Sequence, residues 1–198
     1  MIGAKQIFNK GTTLFELMIT ITVFSIFITV GVQLLSSALK NHQAALAKAE
    51  VLNQTSYVLE YLSRSFRMAQ KDIAGLCIAP RNNFENPSGD ISSIRFLNYE
   101  NKCLEFSSHN IEKNNKTYTL IMMRKSSDAG SANLGPEVAL TAIGPSVNKV
   151  SFFITGKSQS DALQPSVTVA LEFKDSLLNG SVYNIQTTVS QRSLDVEY

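Results

Sequence analysis

One uninterrupted apolar run dominates the first quarter of the chain. No residue of Leu17–Leu39 carries a charge, and the charged residues that bound this stretch are Glu16 and Lys40. About 20 apolar residues are enough for a helix to cross the hydrocarbon core of a bilayer. Because Lys5 and Lys10 precede the run, the positive-inside rule places the N-terminus in the cytoplasm and the body of the chain outside it.

A second pattern begins after Lys40, where apolar residues recur at the spacing of one helical face. They are Ala45, Ala49, Leu52, Leu59, Leu62, Phe66, Ala69 and Ile73. No proline precedes Pro80. The pattern therefore predicts one helix from about Thr13 to about Ala74, with Gly75 as the residue that ends it. The second half of this helix is apolar on one side only, so another part of the chain has to cover that side.

After Gly75 the pattern changes to short runs of β-branched and aromatic residues. Six runs are predicted to form strands: Ile91–Asn98, Cys103–Ser107, Thr117–Arg124, Val147–Thr155, Ser166–Lys174 and Ser181–Arg192. Turn-forming sequences separate them, among them Asn110–Lys116 and Asn179-Gly180. Short turns favour an antiparallel sheet. The expected fold class is α+β, with one long N-terminal helix packed against an antiparallel β-sheet.

Charge and cysteine content narrow the possible functions. Lys5 and Lys10 account for the formal net charge of +2, so no nucleic-acid-binding surface is predicted. In an exported body, Cys77 and Cys103 can form a disulfide, which would contribute about 3 kcal/mol by closing a loop on the order of 27 residues. Two buried thiols are the alternative. No metal site is predicted, because a structural zinc needs four ligands.

The chain contains no recognisable catalytic motif. His42 and His109 have no nucleophile or metal-ligand partner at a motif spacing, and there is no phosphate-binding loop or dinucleotide fingerprint. We therefore expect no enzymatic activity and no cofactor. Asp128 and Asp161 lie in separate predicted loops, and a calcium loop stays open as an alternative. The polar segment Ser126–Pro136 is expected to be a mobile loop rather than a binding loop.

The residues ahead of the apolar run have a specific spacing. The heptapeptide Gly11-Thr12-Thr13-Leu14-Phe15-Glu16-Leu17 follows a short leader that contains lysine. This segment resembles the type IV prepilin signal, the class III leader of type IV pilins and type II secretion pseudopilins. The resemblance implies that a prepilin peptidase cuts between Gly11 and Thr12 and methylates the new amine of Thr12. It also implies that Glu16 meets the amine of a neighbouring subunit.

The resemblance is weaker over the rest of the chain. The segments Leu62–Arg67 and Thr187–Arg192 resemble those of J-type minor pseudopilins and W-type minor pilins. The implied partners are other pilin or pseudopilin subunits, the prepilin peptidase, the inner-membrane assembly platform and, before assembly, membrane lipid. Four regions are implied: a cleaved leader (1–11), the membrane and assembly half of the helix (12–39), its amphipathic half (40–75) and a sheet domain (76–198).

The charges at the head of the helix have a physical logic of their own. A cut before Thr12 creates a positive amine one helical turn from Glu16, and both charges are costly in lipid unless they are paired. A carboxylate there also suits the positive end of the helix dipole. Such a pair sets the axial register of subunits, because mispaired subunits leave a charge bare.

Other interpretations of the N-terminal segment stay open. An ordinary signal peptide would be cut near Ser36–Ala38. A plain signal anchor explains the span without explaining Gly11 or Glu16, and it would carry an extracytoplasmic binding module that does not polymerise. An anchored enzyme is a third class, for which the sequence names no residue.

Hydroxyl residues form a stripe along the apolar run. Thr22, Ser25, Thr29 and Ser36 fall at helical spacing. Such side chains either bond across to a neighbouring helix or bond back to the carbonyls of their own helix. The sequence does not decide between these two arrangements.

Overall fold

The computed structural model describes residues 13–113, 116–141, 146–157, 163–174 and 182–192. Within them lie one α-helix, at Leu14–Arg67, and one seven-stranded sheet. The strands are β1 (Ser93–Leu97), β2 (Cys103–Lys113), β3 (Lys116–Lys125), β4 (Val138–Ala139), β5 (Ser146–Thr155), β6 (Ser166–Lys174) and β7 (Val182–Ser190). The predicted α+β class, with one long N-terminal helix and an antiparallel sheet, is confirmed.

The chain divides into two compact units, Met1–Leu46 and Ala47–Tyr198. In the first unit the side chains of the helix are not packed in a core, and every described residue up to Gln43 is exposed. The second unit contains the remaining part of the helix and the whole sheet, and it has its own hydrophobic core.

The sheet has the order β1-β2-β3-β5-β6-β7, and β4 pairs with β3 at one end. All of these pairs are antiparallel. A bulge between Val147 and Lys149 shifts the register of β5 against β6. Alternate residues of β6, from Val167 to Phe173, are buried, as expected for a strand with one face on a core.

The core lies between the sheet and the last turns of the helix. Thr55, Val58, Leu62 and Phe66 are the buried helix residues, at spacings of three or four. Phe66 is fully buried, and its ring packs edge-on against four others at centroid distances of 5.4–6.3 Å. These rings are Phe84, Phe96, Phe106 and Phe152. Leu52 was expected on the buried face but is 56% exposed, because the covered stripe runs through Val51 instead.

The prediction that the helix continues to about Ala74 is wrong, because it ends at Arg67. Beyond this residue the backbone turns to the edge of the sheet. The N–H of Gln70 donates to the carbonyl of Leu97 in β1 at 2.8 Å. Ile73, which continues the apolar spacing of the helix, is 77% exposed. Gly75 does not end the helix but lies in the following loop, where its positive φ of 71° suits glycine.

Apart from shifts of one or two residues at strand ends, the strand predictions differ from the structure in two places. The hairpin formed by β2 and β3 is longer than predicted. Residues Asn110–Lys113 belong to β2 and Lys116 to β3, so most of the predicted turn is strand. The two-residue strand β4 was not predicted, since two residues show no periodicity. The predicted turn at Asn179-Gly180 lies outside the described residues.

Candidate functional site

The head of the helix is organised by Thr13 and Glu16. Gly11 and Thr12, the predicted cleavage and methylation residues, lie outside the described residues. The Oγ1 of Thr13 accepts the N–H of Glu16 at 3.3 Å, and the carbonyl of Thr13 accepts the N–H of Leu17 at 3.1 Å. Thr13 therefore occupies the N-cap position. Glu16 is the acidic residue of the first turn, where the helix dipole is positive.

The helix that follows Glu16 presents a long apolar surface. It is long and apolar enough to cross a membrane by length and composition, and none of the qualifying window is buried. Large side chains are exposed all round it; Phe15 is 73% and Phe27 72% exposed. An apolar surface of this extent is typical of membrane or protein interaction sites. The first unit is thus consistent with single-pass membrane anchoring.

The hydroxyl groups of the apolar run bond back to their own helix. Ser25 donates to the carbonyl of Ile21 and Thr29 to that of Ser25, each at 2.8 Å. Thr22 donates to the carbonyls of Met18 and Ile19. These three hydroxyls are satisfied without a second helix, so they add little cost in lipid and leave a smooth surface for packing.

The sheet domain contains a second, smaller apolar cluster around a disulfide. Cys77 and Cys103 are joined, with their Cα atoms 5.3 Å apart, and both are buried together with Ile78 and Leu97. The carboxylate of Asp72 holds the preceding loop, because it accepts the N–H groups of Cys77 at 2.7 Å and Ile78 at 3.1 Å. The bridge therefore lies in a loop that is already fixed by hydrogen bonds.

The polar segment Ser126–Pro136 is docked onto this disulfide region. The N–H of Cys103 donates to the Oγ of Ser126 at 2.8 Å, and the N–H of Ser131 donates to the carbonyl of Leu76 at 3.0 Å. Ala129 and Leu134 pack against the buried cluster. The expectation of a mobile loop is not supported, because hydrogen bonds and apolar contacts both hold the segment.

Asp128 already has partners within its own loop. Its carboxylate accepts the N–H of Gly130 at 2.8 Å and the side-chain amide of Asn133 at 2.7 Å. These bonds lower the pKa of Asp128. Asp161 lies outside the described residues. Across the residues that the structure describes, no three His, Cys, Asp or Glu side chains come together as metal ligands.

The two histidines lie in separate places on the surface. His42 is exposed on the helix. The Nδ1 of His109, in β2, is 3.0 Å from the Oε2 of Glu137, and both side chains are partly exposed. This arrangement is a surface ion pair when His109 is protonated, and it brings no nucleophile to either residue.

The structure brings together the two distant segments that carry the weaker resemblance. Arg67 is the last residue of the helix, and its carbonyl accepts the N–H of Arg192 at 2.9 Å. The buried side chain of Gln191 donates to the carbonyl of Ala69 at 2.8 Å. These bonds satisfy the carbonyl of the last helical residue and one carbonyl just beyond the helix. No local sequence signal shows this contact, because it joins residues 122 positions apart.

Comparison of the chain with protein-family models, with curated proteins and with solved structures finds no match. The architecture, a long apolar N-terminal helix whose last turns pack on an antiparallel sheet, is compatible with that of type IV pilin-like proteins.

Proposed function

We propose that this chain is a structural subunit without enzymatic activity: a minor pilin or pseudopilin of a type IV pilus or a type II secretion filament. One observation carries the proposal. Glu16 lies in the first turn of a long, exposed apolar helix, five positions after Gly11. A membrane anchor alone does not need a carboxylate at this place, where an unpaired charge is costly.

We propose the following steps of processing and assembly for the subunit. Prepilin peptidase cuts between Gly11 and Thr12 and methylates the Thr12 amine, which gives the apolar helix a positive tip. The subunit waits in the inner membrane, with its body outside the cytoplasm. The assembly platform then moves it into the filament, where Glu16 pairs with the amine of a neighbouring subunit. The Cys77–Cys103 disulfide fits an extracytoplasmic body, since such bridges persist in oxidising compartments.

The exposed apolar helix supports both stages of this scheme. Lipid covers its side chains before assembly, and neighbouring helices cover them in the filament. The back-bonded hydroxyls of Thr22, Ser25 and Thr29 favour the exchange, because they need no polar partner in either environment. Glu16 is then the polar group that distinguishes a correct neighbour from a shifted one.

Mass spectrometry of the protein purified from its native host tests the processing step. We expect the chain to begin at Thr12 and to carry one added methyl group on its amine. A chain that begins at Met1, or at a residue near Leu39, would contradict the proposal.

Glu16→Ala tests the assembly step against the alternative of an anchored binding module that does not polymerise. We expect normal membrane insertion, and at least about tenfold less of the variant in purified filaments, because breaking a buried ion pair costs about 3–5 kcal/mol. Glu60→Ala, an exposed acidic position further along the same helix, is the matched control. Equal incorporation of both variants would favour the anchored module.

A further inference from the structure

The loop that follows the helix, residues 72–81, is fixed in place and exposes apolar side chains. The carboxylate of Asp72 is buried and accepts the N–H of Cys77 at 2.7 Å, so the loop is tied together from inside. Two large side chains of the loop nevertheless face solvent, because Ile73 is 77% and Leu76 58% exposed. Since the fold already orders this loop, a partner that binds there loses little further conformational freedom.

The charges along the helix of the second unit and along this loop change sign. In chain order they are Lys48, Glu50, Glu60, Arg64, Arg67, Lys71, Asp72 and Arg81. Lys48 lies against the sheet, with its Nζ 5.9 Å from the ring centre of Tyr183, and the carboxylate of Asp72 is buried. Glu85, beside the loop, accepts the N–H of Ala79 at 2.8 Å. An acidic stretch of helix is therefore followed by a basic stretch that ends in the loop.

The acidic stretch also carries an exposed aromatic side chain. Tyr57 is 62% exposed and lies two turns after Glu50, so both side chains share one face of the helix, away from the buried stripe. Glu60 has a basic residue, Arg64, one turn further on the same helix. The side chain that bonds to Glu50 is instead the neutral amide of Gln54, at 2.8 Å. Glu50 is therefore the acid whose charge is best placed for a partner.

We propose that this chain binds a second copy of itself head to tail. Tyr57 of one subunit packs on Ile73 and Leu76 of the next, and Glu50 pairs with Arg81 across the contact. The helices of both subunits keep the same direction, as subunits that start from one membrane require. Because the two surfaces differ, the contact is heterologous and can repeat from subunit to subunit. The inference rests on the proposed function, since it names a contact within the filament.

This contact separates assembled subunits from stored ones. About 25 Å of helix lies between Glu50 and the last helical residue, Arg67, at 1.5 Å a residue. Two bound subunits are therefore displaced by about this distance along the helix, which two spans in one bilayer do not allow, because its hydrocarbon core is about 30 Å thick. The contact forms only when one subunit has left the membrane. The neighbour whose amine meets Glu16 is a different one, since that pair needs a displacement of about one helical turn.

Cysteine crosslinking of the full chain in its native host tests the contact. Glu50→Cys and Arg81→Cys are expressed together with different tags and mildly oxidised, and disulfide-linked heterodimers are measured in purified filaments and in the inner-membrane fraction. We expect heterodimers in the filaments and none above background in the membrane. Lys149→Cys, an exposed basic position of β5, takes the place of Arg81→Cys as the matched control and should give no heterodimer with Glu50→Cys.

Charge reversal tests the pairing of Glu50 with Arg81 separately. Glu50→Arg and Arg81→Glu should each lower the amount of the chain in filaments, by up to about fivefold, because like charges then meet. A chain with both substitutions should recover, since the two charges are exchanged. Leu76→Ser should lower incorporation by about five- to tenfold through lost apolar burial, whereas Leu52→Ser, at a similarly exposed leucine outside the contact, should not.

The outcomes distinguish this inference from the proposed function. Filaments that contain the chain but give no heterodimer overturn the head-to-tail contact and leave the proposed function standing. Heterodimers that are as abundant in the membrane as in filaments, or a double variant that does not recover, also overturn it. A chain that still begins at Met1 and is absent from filaments overturns the proposed function, and this contact with it.

Discussion

Two buried serines of the sheet domain show how much the surroundings of one hydroxyl decide. Ser107 lies in β2 and is 7% exposed, and its Oγ has no hydrogen-bond partner in the described part of the chain. Ser126 is 3% exposed, but its Oγ accepts the N–H of Cys103 at 2.8 Å and donates to the carbonyl of Asp128. The first group is buried at a cost, and the second satisfies two main-chain groups.

Substitution of these serines by alanine should change stability in opposite directions. Ser107→Ala removes an unsatisfied hydroxyl and should raise the free energy of unfolding by up to about 1 kcal/mol. Ser126→Ala removes one acceptor of the buried N–H of Cys103 and should lower the free energy of unfolding by about 1–3 kcal/mol. Urea unfolding of the full chain in micelles measures both values. A loss of stability in Ser107→Ala would mean that its hydroxyl has a partner.

At the scale of elements, the disulfide joins the loop after the helix to the start of β2. The segment Ser126–Pro136 rests on this junction through Cys103 and Leu76. The bridge therefore also supports the segment Ser126–Pro136, although that segment contains no cysteine. Its main effect is expected on the unfolded chain, whose freedom it restricts.

The double variant Cys77→Ala, Cys103→Ala should lower the free energy of unfolding by about 3 kcal/mol. Local opening should appear first where the bridge supports other contacts. We expect faster amide hydrogen exchange in Ser126–Pro136 and little change in β6, under conditions where the chain stays folded. Exchange that rises equally in both segments would show that the bridge stabilises the fold as a whole and not this region.

The elements that the sequence predicts well are those with a long, local pattern. The uncharged run Leu17–Leu39 and the alternation in β6 have clear periodicities, and both appear as expected. The predicted end of the helix is wrong because Ala69 and Ile73 continue the helical spacing. What stops the helix at Arg67 is pairing of the following backbone with β1 and with Asn82, and such distant contacts leave no local signal.

The features of the candidate site also differ in how far the sequence alone predicts them. Glu16 stands out in the sequence because a carboxylate borders an apolar run, and the structure adds its position in the first helical turn. Whether Cys77 and Cys103 pair was open, since two cysteines carry no information on their distance; the structure joins them. The order of the strands, with β7 last among the described strands, is not determined by the strand pattern alone.

At the scale of the whole molecule, the two compact units differ in what they bury. The core of the second unit is built from the sheet and from helix residues beginning near Val51. Every described residue before Ala44 is exposed, so none of these residues belongs to that core. The folding of the sheet domain and the solubility of the chain should therefore depend on different residues.

Removal of residues 1–43 should leave a chain that is soluble without detergent and unfolds cooperatively on heating, as followed by circular dichroism. The exposed apolar surface of the first unit is lost, while the packing of Leu62 and the other core residues of the helix is kept. Leu62→Asp in the shortened chain should abolish cooperative unfolding, because it buries an unpaired charge. Leu52→Asp, on the same helix but 56% exposed, should be tolerated. A shortened chain that aggregates or unfolds without a transition would mean that the first unit is needed for folding.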